Sequence, residues 1–102
     1  MSVVVVATIT PKPGEEDAVR EALLATIPQV HDEPGCERYA LHEGAGEFVM
    51  VERWESAEAL AVHSKADALA RLGAALAGKV SGPPQVRTLT AVPAGDAGKG
   101  QL

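Results

Sequence analysis

Hydrophobic and polar residues recur along this chain with two different periods, and the change between them marks the predicted elements. Apolar side chains occupy residues 3–6 without a break, which predicts a strand covered on both faces. Alternation with a period of two predicts further strands, two of which are separated by the turn residues Gly44-Ala45-Gly46. The predicted strands are Ser2–Thr10, Cys36–Glu43, Glu47–Glu55 and Gln85–Val92.

Apolar residues spaced by three and four positions predict the helices between these strands. The series that follows this spacing is Val19, Leu23, Ile27 and Val30, as on the face of a helix that packs on a core. Ser56 is a residue type that caps the start of a helix, and Gly78 is a type that ends one. The predicted helices are Glu15–His31, Ala57–His63 and Lys65–Ala77.

The order of these elements predicts an α+β fold. The order β-α-β-β-α-(α)-β is the split arrangement of ferredoxin-like domains, an antiparallel four-stranded sheet with its helices on one face. Apolar residues lie on both faces of the first and third strands, so we expect the uncovered face to pack on the sheet of a second copy. Residues 1–92 are then one domain of a homodimer, and residues 93–102 are a flexible C-terminal tail.

Composition narrows the classes of function. The 102 residues carry 9 Lys and Arg against 14 Asp and Glu, a net charge of −5. This acidic balance argues against nucleic acid and against an anionic membrane surface, which both attract basic proteins. No apolar run approaches the ~20 residues of a membrane span, and one cysteine cannot form an internal disulfide. We expect a cytoplasmic protein.

His63 is the candidate for proton transfer. It ends a short helix whose neighbouring residues are largely apolar, and a histidine can act as general acid or base near neutral pH. A histidine in the last turn of a helix also interacts well with the helix carbonyls. The chemistry of the residue alone leaves both interpretations open.

Glu52 and Trp54 share a face of the third strand with Phe48 and Met50. If Glu52 is buried, its carboxylate needs a partner, such as His63, Arg38 or an arginine of a second subunit. If it lies at the strand edge, it is solvated. Trp54 either fills the core or forms one wall of a cavity that binds an aromatic ring.

Four further residues are candidates for substrate binding: Tyr39, Phe48, Met50 and Leu60. The Tyr39 phenol either bonds a substrate oxygen or packs at an interface. On the second strand, one face is assigned Cys36, Arg38, Ala40 and His42. The thiol of Cys36 is expected to pack as a small apolar group. The histidines are scattered and no cofactor or metal motif is present, so we expect neither.

A set of uncommon residues follows a fixed order within this pattern. The turn Glu33-Pro34-Gly35-Cys36 precedes Tyr39, and Glu52-Arg53-Trp54-Glu55 and Ala59-Leu60 precede His63. This order resembles the antibiotic biosynthesis monooxygenase (ABM) family of dimeric α/β-barrel proteins. The core of the resemblance runs from residue 33 to residue 63, and the flanking pattern extends it over residues 2–92.

The resemblance implies a function that the residue pattern alone does not. Some ABM proteins oxidise hydroquinones or anthrones with molecular oxygen and use neither metal nor flavin. That reaction needs an apolar cavity, a base and an aromatic wall, roles for which the resemblance points to His63, Glu52 and Trp54. Relatives that oxidise anthrones or degrade haem use an asparagine, and this chain has none, so haem degradation is not expected.

We therefore expect a cofactor-independent monooxygenase, an oxidoreductase acting on a hydroquinone or an anthrone-like aromatic. One alternative is an isomerase that moves a proton on a small carbonyl substrate through His63. Another is a dimeric module that binds a small molecule without catalysis. Oxygen uptake separates the first function from the other two.

Overall fold

Four strands and three helices alternate in the predicted order, with ends that differ from the predicted ones by at most two residues. The structure is a computed structural model that describes residues 2–102. Its elements are β1 Val3–Ile9, α1 Glu16–His31, β2 Cys36–Gly44, β3 Glu47–Trp54, α2 Ala57–Ser64, α3 Asp67–Leu76 and β4 Gln85–Thr90.

The strands form one antiparallel sheet in the order β2-β3-β1-β4. Strand β1 lies between β3 and β4. Within its apolar run, Val5 is buried in the core under the helices, whereas Val4 and Val6 lie on the sheet face that no helix covers. Ala45 and Gly46 both have positive φ between β2 and β3, at 54° and 78°. Positive φ at both central residues is the geometry of a two-residue hairpin turn, and it sets the register of the β2–β3 pair. The predicted α+β, ferredoxin-like fold is confirmed.

A β-bulge changes one predicted strand face. Cys36 pairs with Trp54 and Arg38 pairs with Arg53, so the register shifts across the intervening Glu37. The assignment of Cys36 and Arg38 to one face is therefore wrong. An extra residue in one strand reverses the alternation of side chains, and it turns Cys36 toward the helices while Arg38 lies on the opposite face.

The core lies between one sheet face and the helices. Trp54 and Val19 have no exposed surface, and Leu23 and Met50 are 1% exposed. The buried positions of α1 are Val19, Leu23, Thr26 and Val30. Thr26 is tolerated there because its hydroxyl donates to the carbonyl of Ala22 at 2.9 Å. Helix α3 packs chiefly against α1, and β4 stays exposed along all six residues.

The opposite sheet face has no helix. Val6, Val49 and Val51 are half-buried there, and Val4 is 9% exposed. Beyond β4 the chain has no helix or strand up to residue 102, and the guanidinium of Arg53 donates to the terminal carbonyl of Leu102. The division into a domain of 1–92 and a flexible tail stays a prediction.

Within residues 2–102, no helix is both long enough and apolar enough to cross a membrane.

Candidate active site

Helix α2 carries the candidate base into the interior. The helix starts at Ser56, whose hydroxyl oxygen accepts the N–H of Ala59 at 3.1 Å, as an N-cap serine does. Seven residues after this cap, His63 lies in the last turn and is only 4% exposed. Its Nδ1 atom lies 2.7 Å from a carboxylate oxygen of Glu33, so the histidine does not serve as a cap for the helix carbonyls.

Aromatic rings enclose the imidazole of His63 on two sides. Trp54 stacks on it with ring centroids 4.4 Å apart and an angle of 28° between the planes. Tyr39 approaches edge-on, with centroids 5.6 Å apart and an angle of 69°. Because stacked and edge-to-face contacts restrict a ring in different directions, the imidazole is held in one orientation.

Glu52 meets the same ring from its other side. Its Oε1 atom accepts the indole N–H of Trp54 at 2.9 Å and lies 3.9 Å from Nε2 of His63. Burial raises the pKa of Glu52, while the Trp54 hydrogen bond and the nearby His63 act in the opposite direction. Of the two alternatives for Glu52, the side chain is therefore buried rather than solvated at the strand edge. The ionisable group beside it is His63, not Arg38.

The partner of His63 on Nδ1 was not among the predicted site residues. Glu33 lies in the turn after α1, where its N–H donates to Val30 O at 3.0 Å. Gly35 has a φ of +81°, and a Cβ atom built there would lie 2.5 Å from Cβ of Ala59. The turn therefore packs directly on α2, one helical turn before His63. Only glycine fits both the positive φ and this close approach.

A cavity of about 350 Å³ opens beside the His63–Glu52 pair. Its polar side chains are Tyr39, Glu52, His63 and Ser64 from β2, β3 and α2, and Thr88 from β4, and most of its remaining wall is aliphatic. Among the residues around it, Ser64, Gly73, Pro84, Val86 and Thr88 are exposed. The mouth thus lies between β4 and the helices α2 and α3, and the proton-carrying groups lie at depth.

The structure brings together most of the predicted site residues. His63, Glu52, Tyr39, Met50 and Leu60 all line the cavity. Trp54 lies behind His63 and holds Glu52 without lining the cavity itself.

Phe48 is the exception, because it lies away from this cavity. Its ring is buried in the core below the guanidinium of Arg20, whose central carbon is 5.4 Å from the ring centroid. Sequence alternation placed it on the correct strand face but could not show how far along the strand the cavity reaches.

Burial also decides the state of two weak acids near the site. Desolvation raises the pKa of the Tyr39 phenol, and the charge of Glu52 adds to the effect. Tyr39 is therefore a hydrogen-bond donor at neutral pH. Desolvation likewise raises the pKa of the Cys36 thiol, which argues against a reactive thiolate. Within residues 2–102, no three His, Cys, Asp or Glu side chains are placed so that they could hold a metal ion together.

The fold and this cavity place the chain in a known class of small α+β proteins. The sequence model of the antibiotic biosynthesis monooxygenase family matches residues 2–75. The chain belongs to this family, and the resemblance seen in its sequence is confirmed. No curated protein matches the chain.

Solved structures agree with this assignment. Rv0793 from Mycobacterium tuberculosis is 31% identical with a TM-score of 0.86, over 94% of this chain and 100% of that one. A Caulobacter crescentus protein that carries the family's name is 29% identical with a TM-score of 0.82, over 89% and 90% of the two chains. PA3566 from Pseudomonas aeruginosa is 26% identical with a TM-score of 0.82, over 89% and 94%.

Proposed function

We propose that this chain is a cofactor-independent monooxygenase that oxidises a hydroquinone or an anthrone-like aromatic with molecular oxygen. The observation that carries the proposal is a buried histidine at the polar end of an otherwise apolar cavity of about 350 Å³. An apolar wall binds a ring, and a buried histidine at its end is suited to take a proton from a ring hydroxyl or an acidic CH₂ group.

The chemistry balances without a further reductant. When an anthrone CH₂ group becomes a carbonyl, one oxygen atom of O₂ enters the carbon and the other leaves as water with the two hydrogens. All four electrons come from the substrate. The protein has to remove the first proton, because the resulting anion is electron-rich enough to react with oxygen, and it has to keep water away from the anion.

Each side chain at the polar end has a role in this scheme. His63 accepts the substrate proton, and Trp54 holds its ring by stacking. Tyr39, a phenol kept protonated by burial, donates a hydrogen bond to a substrate oxygen. Glu52 lies within 3.9 Å of His63 Nε2 and exchanges a proton with the histidine or the substrate.

The assembly and location are proposed on separate grounds. The helix-free sheet face carries half-buried valines, and covering it with the same face of a second copy buries apolar area that is otherwise left in water. We therefore infer a homodimer. The absence of a cysteine pair and the acidic balance favour the cytoplasm.

Oxygen consumption by metal-free protein, measured over a panel of hydroquinones and anthrones, tests the oxygenase. His63→Ala is expected to lower the rate by about 100-fold or more, the contribution of a general base. His42→Ala is the matched control, because His42 lies opposite Val49 on the helix-free face and does not line the cavity, and it is expected to keep the rate as long as the dimer is intact. Equal rates in His63→Ala and wild type would remove His63 from the mechanism, and no uptake on any substrate would overturn the oxygenase.

A second function is favoured by the facing His63–Glu52 pair. A base and a carboxyl group with a raised pKa at one end of a cavity are the parts needed to move a proton on a small carbonyl compound. An isomerase of this kind would exchange substrate C–H for solvent deuterium without consuming oxygen. A protein that binds ligands but shows neither reaction would be a non-catalytic binding module.

A further inference from the structure

The imidazole of His63 has a different neighbour at each nitrogen. Nδ1 lies 2.7 Å from Glu33 Oε1, and Nε2 lies 3.9 Å from Glu52 Oε1 at the cavity. The first distance is that of a short hydrogen bond, and the second is too long for one. The two nitrogens are therefore not equivalent, although neither the sequence nor the ring position alone says which of them carries the proton.

We propose that the Glu33-Pro34-Gly35 turn sets the tautomer of His63: Glu33 accepts the Nδ1 proton, so that the unprotonated Nε2 atom of the neutral ring faces the cavity. When the Glu33 carboxylate is ionised it only accepts hydrogen bonds, and the 2.7 Å contact then places the proton on Nδ1. The lone pair for taking a substrate proton is then on Nε2. Glu33 touches no substrate in this scheme and acts through His63, which makes it a positioning residue.

The local structure of the turn supports this role over simple packing. Gly35 lets the backbone of the turn approach α2 at Ala59, and the N–H of Glu55 donates to the Gly35 carbonyl at 2.9 Å. These two contacts fix the turn to β3 and α2 together. The carboxylate of Glu33 therefore reaches a histidine that is 30 residues away in the chain.

The second carboxylate oxygen of Glu33 indicates that the contact is costly. Oε2 is buried and has no hydrogen-bond partner within residues 2–102, and a buried acceptor left without a partner costs free energy. An apolar side chain would fill the same space without that cost. The carboxylate is explained by its bond to the histidine.

The tautomer can be measured without a substrate. In ¹⁵N-labelled protein, long-range nitrogen–proton correlation spectra distinguish a protonated ring nitrogen from an unprotonated one. Spectra are recorded through a pH titration that carries His63 to its neutral form. Wild-type protein is expected to show one neutral tautomer, with the proton on Nδ1. A proton found on Nε2 instead would overturn the proposal.

Two variants of Glu33 and one control complete the test. Glu33→Ala removes the acceptor and should raise the fraction of the Nε2-protonated form, whereas Glu33→Gln keeps an amide oxygen that can accept the Nδ1 proton and should shift the tautomer less. Glu55→Gln changes an exposed carboxylate beside the same turn and should leave the tautomer unchanged. An unchanged tautomer in Glu33→Ala, folded by its backbone amide spectrum, would show that Glu33 does not set it.

The use of this tautomer in catalysis rests on the proposed function, and the two can fail separately. If oxygen uptake is found, Glu33→Ala is expected to lower kcat with KM little changed, by about 10- to 100-fold if the loss matches that of a group hydrogen-bonded behind a metal-bound histidine. If the tautomer shifts in the Glu33 variant but its rate of oxygen uptake does not change, Glu33 has no role in turnover. If the wild-type protein carries the proton on Nδ1 but consumes no oxygen, the proposed oxygenase function is overturned while the positioning role of Glu33 stands.

Discussion

Replacing Gly35 with alanine tests the step on which the site geometry depends, the close approach of the turn to α2. The replacement is expected to lower the free energy of unfolding for two separate reasons. The φ of +81° costs an L-residue about 1–2 kcal/mol. The new Cβ atom would lie 2.5 Å from Cβ of Ala59, and relieving such overpacking costs about 1–3 kcal/mol more.

Gly46→Ala separates these two costs. Gly46 has nearly the same φ, +78°, but a Cβ atom there would meet nothing within 4 Å. Its replacement should therefore show the conformational cost alone. We expect Gly35→Ala to lower the free energy of unfolding by about 1–3 kcal/mol more than Gly46→Ala, the overpacking part. Each kcal/mol corresponds to about 4–8 °C in Tm for a domain of this size.

Denaturant unfolding followed by circular dichroism measures both variants, and Ala59→Gly adds the decisive comparison. Removing the Ala59 methyl costs about 1 kcal/mol of helix propensity but leaves room for the methyl at position 35. The double variant should be more stable than the sum of the single losses predicts, a coupling of about 1–3 kcal/mol. Equal losses in Gly35→Ala and Gly46→Ala, with no coupling to Ala59, would refute the close approach.

Three further predictions concern the carboxylate at the site, the open sheet face and the tail. Because burial raises the pKa of Glu52, the folded protein binds more protons than the unfolded chain between the unfolded Glu value, about 4.3, and the higher folded value. Wild-type stability should therefore fall as pH rises through that window, and Glu52→Gln should remove this fall; parallel pH profiles would contradict the reasoning. Val51→Asp puts a charge on the helix-free face and should yield monomers by analytical ultracentrifugation with an unchanged circular dichroism spectrum, whereas a persistent dimer would place the interface elsewhere. Arg53→Ala removes the donor to the Leu102 carbonyl and should speed proteolysis of the tail by up to about fivefold, since a single hydrogen bond contributes about 1 kcal/mol; an unchanged cleavage rate would show that this contact does not hold the tail.

Much of the fold can be predicted from local patterns of apolar and polar residues along the sequence. The apolar run of residues 3–6 marks a strand that lies second from one edge of the sheet, and the spacing of Val19, Leu23 and Val30 marks the buried face of α1. Such periods are readable because they depend only on the geometry of a single strand or helix. The bulge at Glu37 was not readable, because an inserted residue shows only in the pairing with β3.

Some residues of the candidate site were predictable from the sequence, and one was not. His63, Glu52 and Trp54 were identified from residue type, strand face and family resemblance, and the structure places their side chains in contact or within 4 Å of one another. Glu33 was missed as a site residue, although it begins the recognised turn. The signal was Gly35, since a glycine after a proline in a turn marks either positive φ or a close backbone approach.

Residue patterns along the chain were enough to predict the elements, their order and the fold class, and to single out His63 and Glu52 as groups able to carry a proton. The packing of the folded chain was needed to learn which nitrogen of His63 faces Glu33 and which faces the cavity, and that Phe48 lies outside the cavity. Periodicity describes neighbours within one element, whereas the Glu33–His63 contact joins residues 30 positions apart. Such a contact depends on how a turn, a strand and a helix pack together, and no local pattern records that packing.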